Sequence, residues 1–286
     1  MVNAVIFALL SLCFAGLNDV VFKRYSAKDR SRGMLVFGIG LVWLMLQTLL
    51  LLGKGEVPRV DSTTLVFGAM AGVILATSNI LLIESLTHIE VSLGSTIYRL
   101  NTVGVALLSV LFLQEDFRPA KAAGICIGVL AVLLLAHRSR HAASLGNQKI
   151  FIGMVILASL LRSIYGVLSK AGLIRGADAE TMLLLAAGAW ILGGAFYALI
   201  REGRFRVTGK KAAYALLSGL LVFLIVNFLI AAVARGEASV VIPIANLSFV
   251  AAMLISMALG MERLSVRKVV AIVCAVVAIA LLSLHD

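Results

Sequence analysis

Ten runs of mainly apolar residues, each about 20 long, follow one another along the chain with short polar gaps between them. A helix rising 1.5 Å per residue needs about 20 apolar residues to cross the hydrocarbon layer of a bilayer. The runs therefore predict spanning helices over 3–23, 33–53, 64–87, 91–113, 119–137, 149–171, 179–201, 212–234, 238–259 and 266–284. The first run has no basic stretch before it and no small-residue cleavage site after it, so it is expected to remain as a span. The longest polar stretch, 136–149, falls between spans five and six, and no segment is left over for a soluble domain.

The polar positions repeat. At a constant offset of 147, Lys23 coincides with Lys170, Trp43 with Trp190, Arg59 with Arg206, Gly72 with Gly219, Glu90 with Glu237, Ser92 with Ser239, Glu115 with Glu262 and Lys121 with Lys268. Both tryptophans of the chain are in that alignment, which chance would rarely produce. Pairs of small residues four apart recur too: Gly68 and Gly72 are answered by Ala215 and Gly219, and Gly124 and Gly128 by Ala271 and Ala275. Such pairs let helix backbones approach closely in lipid. The reading is an all-α membrane protein of two five-helix repeats, 1–140 and 141–286. Five is odd, so the second repeat starts on the opposite side of the bilayer and the repeats are inverted. Inverted repeats build a site near the midplane that rocking exposes to each side in turn, as in a secondary transporter.

Composition agrees: 62% of the residues are hydrophobic and 14% charged, against about 45–50% apolar in globular chains. The net charge of +11 lies in short gaps between spans. It therefore points to orientation and lipid headgroups, and no continuous basic face suggests nucleic acid. Cys13, Cys126 and Cys274 lie inside apolar runs without CxxC spacing, so they read as small core residues, with no metal site or disulfide indicated. No cofactor motif is present. Loops after odd-numbered spans carry sixteen Lys and Arg, and the other side carries seven. The positive-inside rule then places both termini outside the cytoplasm.

Repeated residues read as architecture. Glu115 and Glu262 are expected to cap a helix or pair with Lys121 and Lys268; Lys23 and Lys170 to snorkel; Trp43 and Trp190 to pack. Ionisable residues that break the repeat are more informative, because a cavity that recognises one molecule need not look alike from both halves. Asp19, Glu84, Arg99 and Arg162 face Gly166, Ala231, Asn246 and Ala15 in the other copy. A charge inside a span costs a few kcal/mol and is a functional hypothesis by default. Counting depth from the span ends, Asp19, Glu84 and Arg99 can meet near the face of the odd loops, as a salt-bridged cluster, a gate or a substrate contact. Arg162 falls near the midplane with no acid at its depth, and its guanidinium fork suits the carboxylate of an anionic or zwitterionic substrate. Asn18, Asn79, Tyr98, Asn101, Tyr165, Asn227 and Asn246 add polar groups within spans one, three, four, six, eight and nine, either as substrate contacts or as interhelical hydrogen bonds. Pro243 removes a backbone donor and should bend span nine just before Asn246, without a counterpart at Thr96. Glu84, then Asp19, are the candidate proton acceptors; pairing with Arg99 would keep either one ionised.

The run Phe14-Ala15-Gly16-Leu17-Asn18-Asp19-Val20-Val21-Phe22-Lys23, the paired acidic turns and Glu262-Arg263-Leu264 before the last span resemble EamA-type members of the drug/metabolite transporter superfamily. The resemblance covers essentially the whole chain. It implies a ten-helix inner-membrane carrier, typically an exporter of amino acids, other metabolites or drugs, with a cavity lined by spans one, three, four, six, eight and nine. It also implies cytoplasmic termini, opposite to the loop charges. A drug or cation exporter would favour a more aromatic, acidic cavity than this chain suggests, and an intramembrane enzyme would need an HExxH or paired acidic motif that is missing. The expected partners are a small-molecule substrate, membrane lipids and protons as a possible coupling ion; monomer and homodimer are left open.

Overall fold

The computed structural model describes residues 2–26, 31–86, 88–89, 94, 97–116, 118–135, 145–203, 207–260 and 265–283. Glu90, Ser92, Arg206, Glu262 and the Glu262-Arg263-Leu264 run lie outside the described residues, as does the side chain of Lys23. All described regular structure is helical: α1 Val2–Ser26, α2 Arg32–Lys54, α3 Ser62–Ser85, α4 Asn101–Leu113, α5 Pro119–Leu135, α6 Leu145–Ile174, α7 Ala179–Ile200, α8 Gly209–Arg235, α9 Ala238–Asn246, α10 Ser248–Ala258 and α11 Val266–Ser283. Among the described residues eight helices are long and apolar enough to span a membrane, with α9 and α10 together forming one, and Ile97–Leu113 and Pro119–Leu134 are shorter apolar helices. Helices are forced here because lipid offers no partner for a backbone N–H or C=O.

The helix ends show the duplication at work. Ser31 and Asp178, equivalent in the two repeats, cap α2 and α7 by accepting from the Met34 and Thr181 amides at 3.2 and 2.8 Å. Asp61 and Thr208, also equivalent, cap α3 and α8 by accepting from Thr64 and Lys211 amides at 2.9 and 3.4 Å. Each side-chain oxygen satisfies one of the amides that a helix start leaves unpaired. Position is kept where residue type is not.

The two repeats do not form separate bundles. The main helix pairs all join one repeat to the other: α1 packs on α8, α2 on α7 and α8, α3 on α6 and α7, α4 on α6 and α9, and α5 on α11. The α1–α8 pair is the repeat image of α6–α3, and α2–α8 of α7–α3. The pairs α2–α7 and α5–α11 are their own images, as is the pairing of span four with span nine, so a pseudo-two-fold axis passes through them.

Small residues make these approaches possible. A Cβ on Gly72 would stand 2.8 Å from Ala186 Cα and 3.1 Å from Ala189, and on Gly219 it would stand 2.5 Å from Val42, beside Ile39. Ala186 and Ile39, and likewise Ala189 and Val42, are equivalent residues. The sequence's paired small residues are thus helix contacts, with Ala271 and Ala275 buried as well. On the axis itself, Trp43 and Trp190 meet edge to face with centroids 6.0 Å apart at 82°. Both are buried and they pack as the sequence suggests.

The cysteines differ from expectation. Cys13 and Cys126 are exposed and Cys274 is half-buried, all with free thiols. An apolar side chain can face lipid as easily as a core, so hydropathy alone does not assign them to the interior.

Candidate functional site

Spans four and nine are both broken, and at the same place. The Leu247 amide bonds to Ile244 O at 3.1 Å and the Val250 amide to Leu247 O at 3.0 Å; Leu100 bonds to Ile97 O at 3.1 Å and Val103 to Leu100 O at 3.0 Å. These are short i to i−3 bonds where a continuous helix has i to i−4, and every atom pair in one break has its repeat equivalent in the other. Pro243 sits within α9 without ending it, and the break falls four residues later at Leu247. The proline is therefore not the sole cause of the bend, since Thr96 stands in its place in the other half and the break recurs.

The break has a chemical consequence. With the Val250 amide turned to Leu247 O, the Asn246 carbonyl is left available, and Arg99 Nη1 donates to it at 2.9 Å. The same nitrogen reaches Ser248 Oγ at 3.1 Å, and Nη2 pairs with Asp19 Oδ2 at 2.8 Å. Ser248 Oγ lies 3.4 Å from the same Asp19 oxygen, and the guanidinium sits 5.3 Å from the centroid of the Phe249 ring. Asn246 answers with its side chain, Nδ2 donating to Asn101 Oδ1 at 2.5 Å and Thr102 Oγ1 at 3.1 Å. Arg99 and Asn246 are repeat equivalents, as are Asn101 and Ser248, and Thr102 and Phe249. One geometric pattern therefore carries an ionic cluster on one side of the axis and an amide cluster on the other.

Glu84 does not join the ionic cluster. It accepts from Tyr197 Oη at 2.5 Å and from Arg201 Nε and Nη2 at 3.1 and 2.9 Å. Depth along a span is readable from sequence, but the face a residue presents is set by which helix packs there, and α3 packs on α7.

Arg162, near the middle of the 30-residue α6, is half-buried. Its guanidinium lies 5.3 Å from the centroid of the Tyr165 ring. No carboxylate or hydrogen-bond acceptor among the described residues pairs with it. Tyr165 is buried, and the neighbouring hydroxyls of Ser78 and Tyr98 lie 3.4 Å apart. Asn79 bonds to its own helix at Leu75 O, 2.8 Å away. Asn18 is buried, and its Oδ1 has no partner. Asn227 forms an amide pair with Gln47, Nδ2 donating to Gln47 Oε1 at 2.9 Å. Gln47 was missed in the sequence; it is fully buried in span two, a polar residue with Gly194 as its repeat equivalent, and that asymmetry was the available signal.

On the opposite face, Glu115 caps α9 by accepting from the Ala238 and Ser239 amides at 2.7 and 2.9 Å. Lys121 pairs with Glu237 and donates to Ser239 Oγ at 3.1 Å. The cap was foreseen; a Glu115–Lys121 pair is replaced by a bond from Lys121 across the repeats. Lys170 does not snorkel: its ammonium donates to Val233 O at 2.7 Å and Gly236 O at 2.9 Å, closing the C-terminal end of α8.

A cavity of about 10 Å³ lies beside the axis, lined by Arg99, Thr102, Pro243 and Asn246 on one side and by Gly128 and Leu282 on the other. That is room for about one water.

The EamA-like transporter family matches residues 2–136 and again residues 149–284. A solved crystal structure superposes with a TM-score of 0.86 over 99% of this chain and 97% of its own, at 15% identity; at that identity the likeness is one of fold. No curated protein matches the chain.

Proposed function

This chain belongs to the EamA-like transporter family, within the drug/metabolite transporter superfamily, and from that premise we propose that it carries a small anionic or zwitterionic metabolite, such as an amino acid, by alternating access. The observation that carries this reading is Arg162: a guanidinium near mid-membrane with no acid partner among the described residues, beside Tyr165. A half-buried cation within a span, without an acid partner, is costly unless water or a ligand satisfies it. A carboxylate accepts two parallel bonds from such a fork.

Asn18, Asn79, Tyr98, Asn101, Tyr165, Asn227 and Asn246 supply the neutral polar groups of the same region, and Asp19, Arg99 and Glu84 the charged groups that hold or release the helix ends. Asn18 Oδ1, buried without a donor, suits an N–H group of the substrate. Broken helices that meet on the axis, at Leu100 and Leu247, give the two repeats a common pivot. The direction of transport is outward across the inner membrane in this reading.

The test is reconstitution in liposomes with labelled amino acids, organic acids and cationic dyes, with and without a pH gradient. Uptake of a carboxylate or zwitterion that Arg162→Ala lowers by at least about tenfold supports the proposal. Uptake of dyes alone, or equal uptake by folded Arg162→Ala, would overturn it.

A further inference from the structure

We infer that Arg99 is a tethered cation standing in an alkali-ion site, so that the carrier needs no sodium and loses that independence when Arg99 is removed. Three kinds of oxygen converge on the guanidinium: the Asp19 carboxylate at 2.8 Å, the Asn246 carbonyl at 2.9 Å and the Ser248 hydroxyl at 3.1 Å. A carboxylate, an unwound-helix carbonyl and a hydroxyl are the hard oxygen donors that bind sodium at discontinuous membrane helices.

Two further features of the fold favour positive charge at this point. The Asn246 oxygen is the terminal residue's carbonyl of α9, and the C-terminal end of a helix carries partial negative charge. The carbonyl is released by the i to i−3 turn at Leu247 rather than by a deformation around Arg99, because the equivalent turn at Leu100 forms without such a cation. The oxygen cage is thus a property of the backbone, and Arg99 is its occupant. Asp19 keeps 37% of its side-chain surface accessible, which leaves an approach for a small ion once the guanidinium is gone. In the other repeat Gly166 replaces Asp19 and Asn246 replaces Arg99, removing acid and base together. A charge and its neutralising partner that are absent as a pair fit a site whose cation is built in.

The inference about coupling rests on the carrier reading, but its first test needs no transport. Purified wild type, Arg99→Ala and Asp19→Asn/Arg99→Ala are melted in dilute sodium chloride, N-methylglucamine chloride and guanidinium chloride at equal ionic strength. The wild-type midpoint is expected to be the same in all three. Arg99→Ala should melt roughly 2–4 °C higher in sodium or guanidinium than in N-methylglucamine, and the double variant should lose that gain. If Arg99→Ala is not recovered folded, Arg99→Ser and Arg99→Lys replace it, the first expected to show the sodium effect and the second, which keeps a cation, to lack it. Equal midpoints of the neutral variants in every salt, or a sodium effect in the wild type that Asp19→Asn removes, would overturn the inference. With a transported substrate in hand, Arg99→Ala uptake should rise at least about fivefold on replacing N-methylglucamine by sodium while wild-type uptake does not change, the free-energy equivalent of about 1 kcal/mol.

Discussion

Arg99 and Asn246 occupy the same position in the two repeats, 147 residues apart, and touch: the guanidinium Nη1 donates to the Asn246 carbonyl at 2.9 Å. Trp43 and Trp190 do the same at the other self-paired helices. A residue can contact its own repeat equivalent only beside the axis that relates them. If alternating access exchanges the conformations of the two repeats, residue pairs on the axis map onto themselves and stay neighbours, while off-axis contacts such as Glu84–Arg201 have different partners in the two states.

Arg162→Ala is expected to lower uptake of an anionic or zwitterionic substrate by about 10- to 100-fold, the range for losing a charge-assisted hydrogen bond. Arg162→Lys keeps the charge without the planar fork and should fall between. Initial uptake rates in liposomes, with the melting midpoint as a control for folding, check this.

Two glycines should respond oppositely to alanine. A Cβ at Gly194 would lie 2.4 Å from the backbone nitrogen of Phe37 in α2, so Gly194→Ala must push α2 and α7 apart and should destabilise by about 1–3 kcal/mol. Gly53 has nothing within 4 Å, and Gly53→Ala should stabilise its helix by about 0.5–1 kcal/mol. Unfolding in sodium dodecyl sulfate gives both signs in one experiment.

Lys121 is 3% exposed and its partner Glu237 is 34% exposed. Lys121→Met leaves the carboxylate beside the α8–α9 junction without its cation and is expected to cost about 3 kcal/mol. Lys121→Met/Glu237→Gln removes both charges and should recover most of the loss. A deficit in the double variant as large as in the single one would show that the cross-repeat pair is not what Lys121 contributes.

Acid should loosen the start of α3. The Thr64 hydroxyl and then its amide hold the exposed Asp61 carboxyl below its ordinary 3.8. A carboxyl whose folded value is depressed contributes stability that is present above its unfolded value and is lost as pH falls through the folded one. The contribution is thus intact at neutral pH and fades below about pH 4. Protection of the Thr64 amide, relative to its intrinsic exchange at each pH, should fall in that range, and Asp61→Asn, a cap without a titrating proton, should flatten the profile.

The amino-acid order by itself determined the ten spans, the duplication and its inversion. Lipid makes each span satisfy its own backbone, so length and hydropathy suffice, and an offset of 147 is a property of the chain alone. Sequence also isolated Arg162 as a mid-membrane charge, because depth is a count along one helix. Only the tertiary structure decided which faces meet. It sent Glu84 to Arg201 rather than to Arg99, Lys121 to Glu237 rather than to Glu115, and Cys13 and Cys126 outward. It also wove the two repeats through each other and placed the breaks at Leu100 and Leu247 in register although Pro243 has no counterpart in the first repeat. The physical reason is common to all of these: when the solvent is as apolar as the core, hydrophobic periodicity no longer marks the buried side of a helix, and close packing of small residues, legible only in three dimensions, chooses the partners.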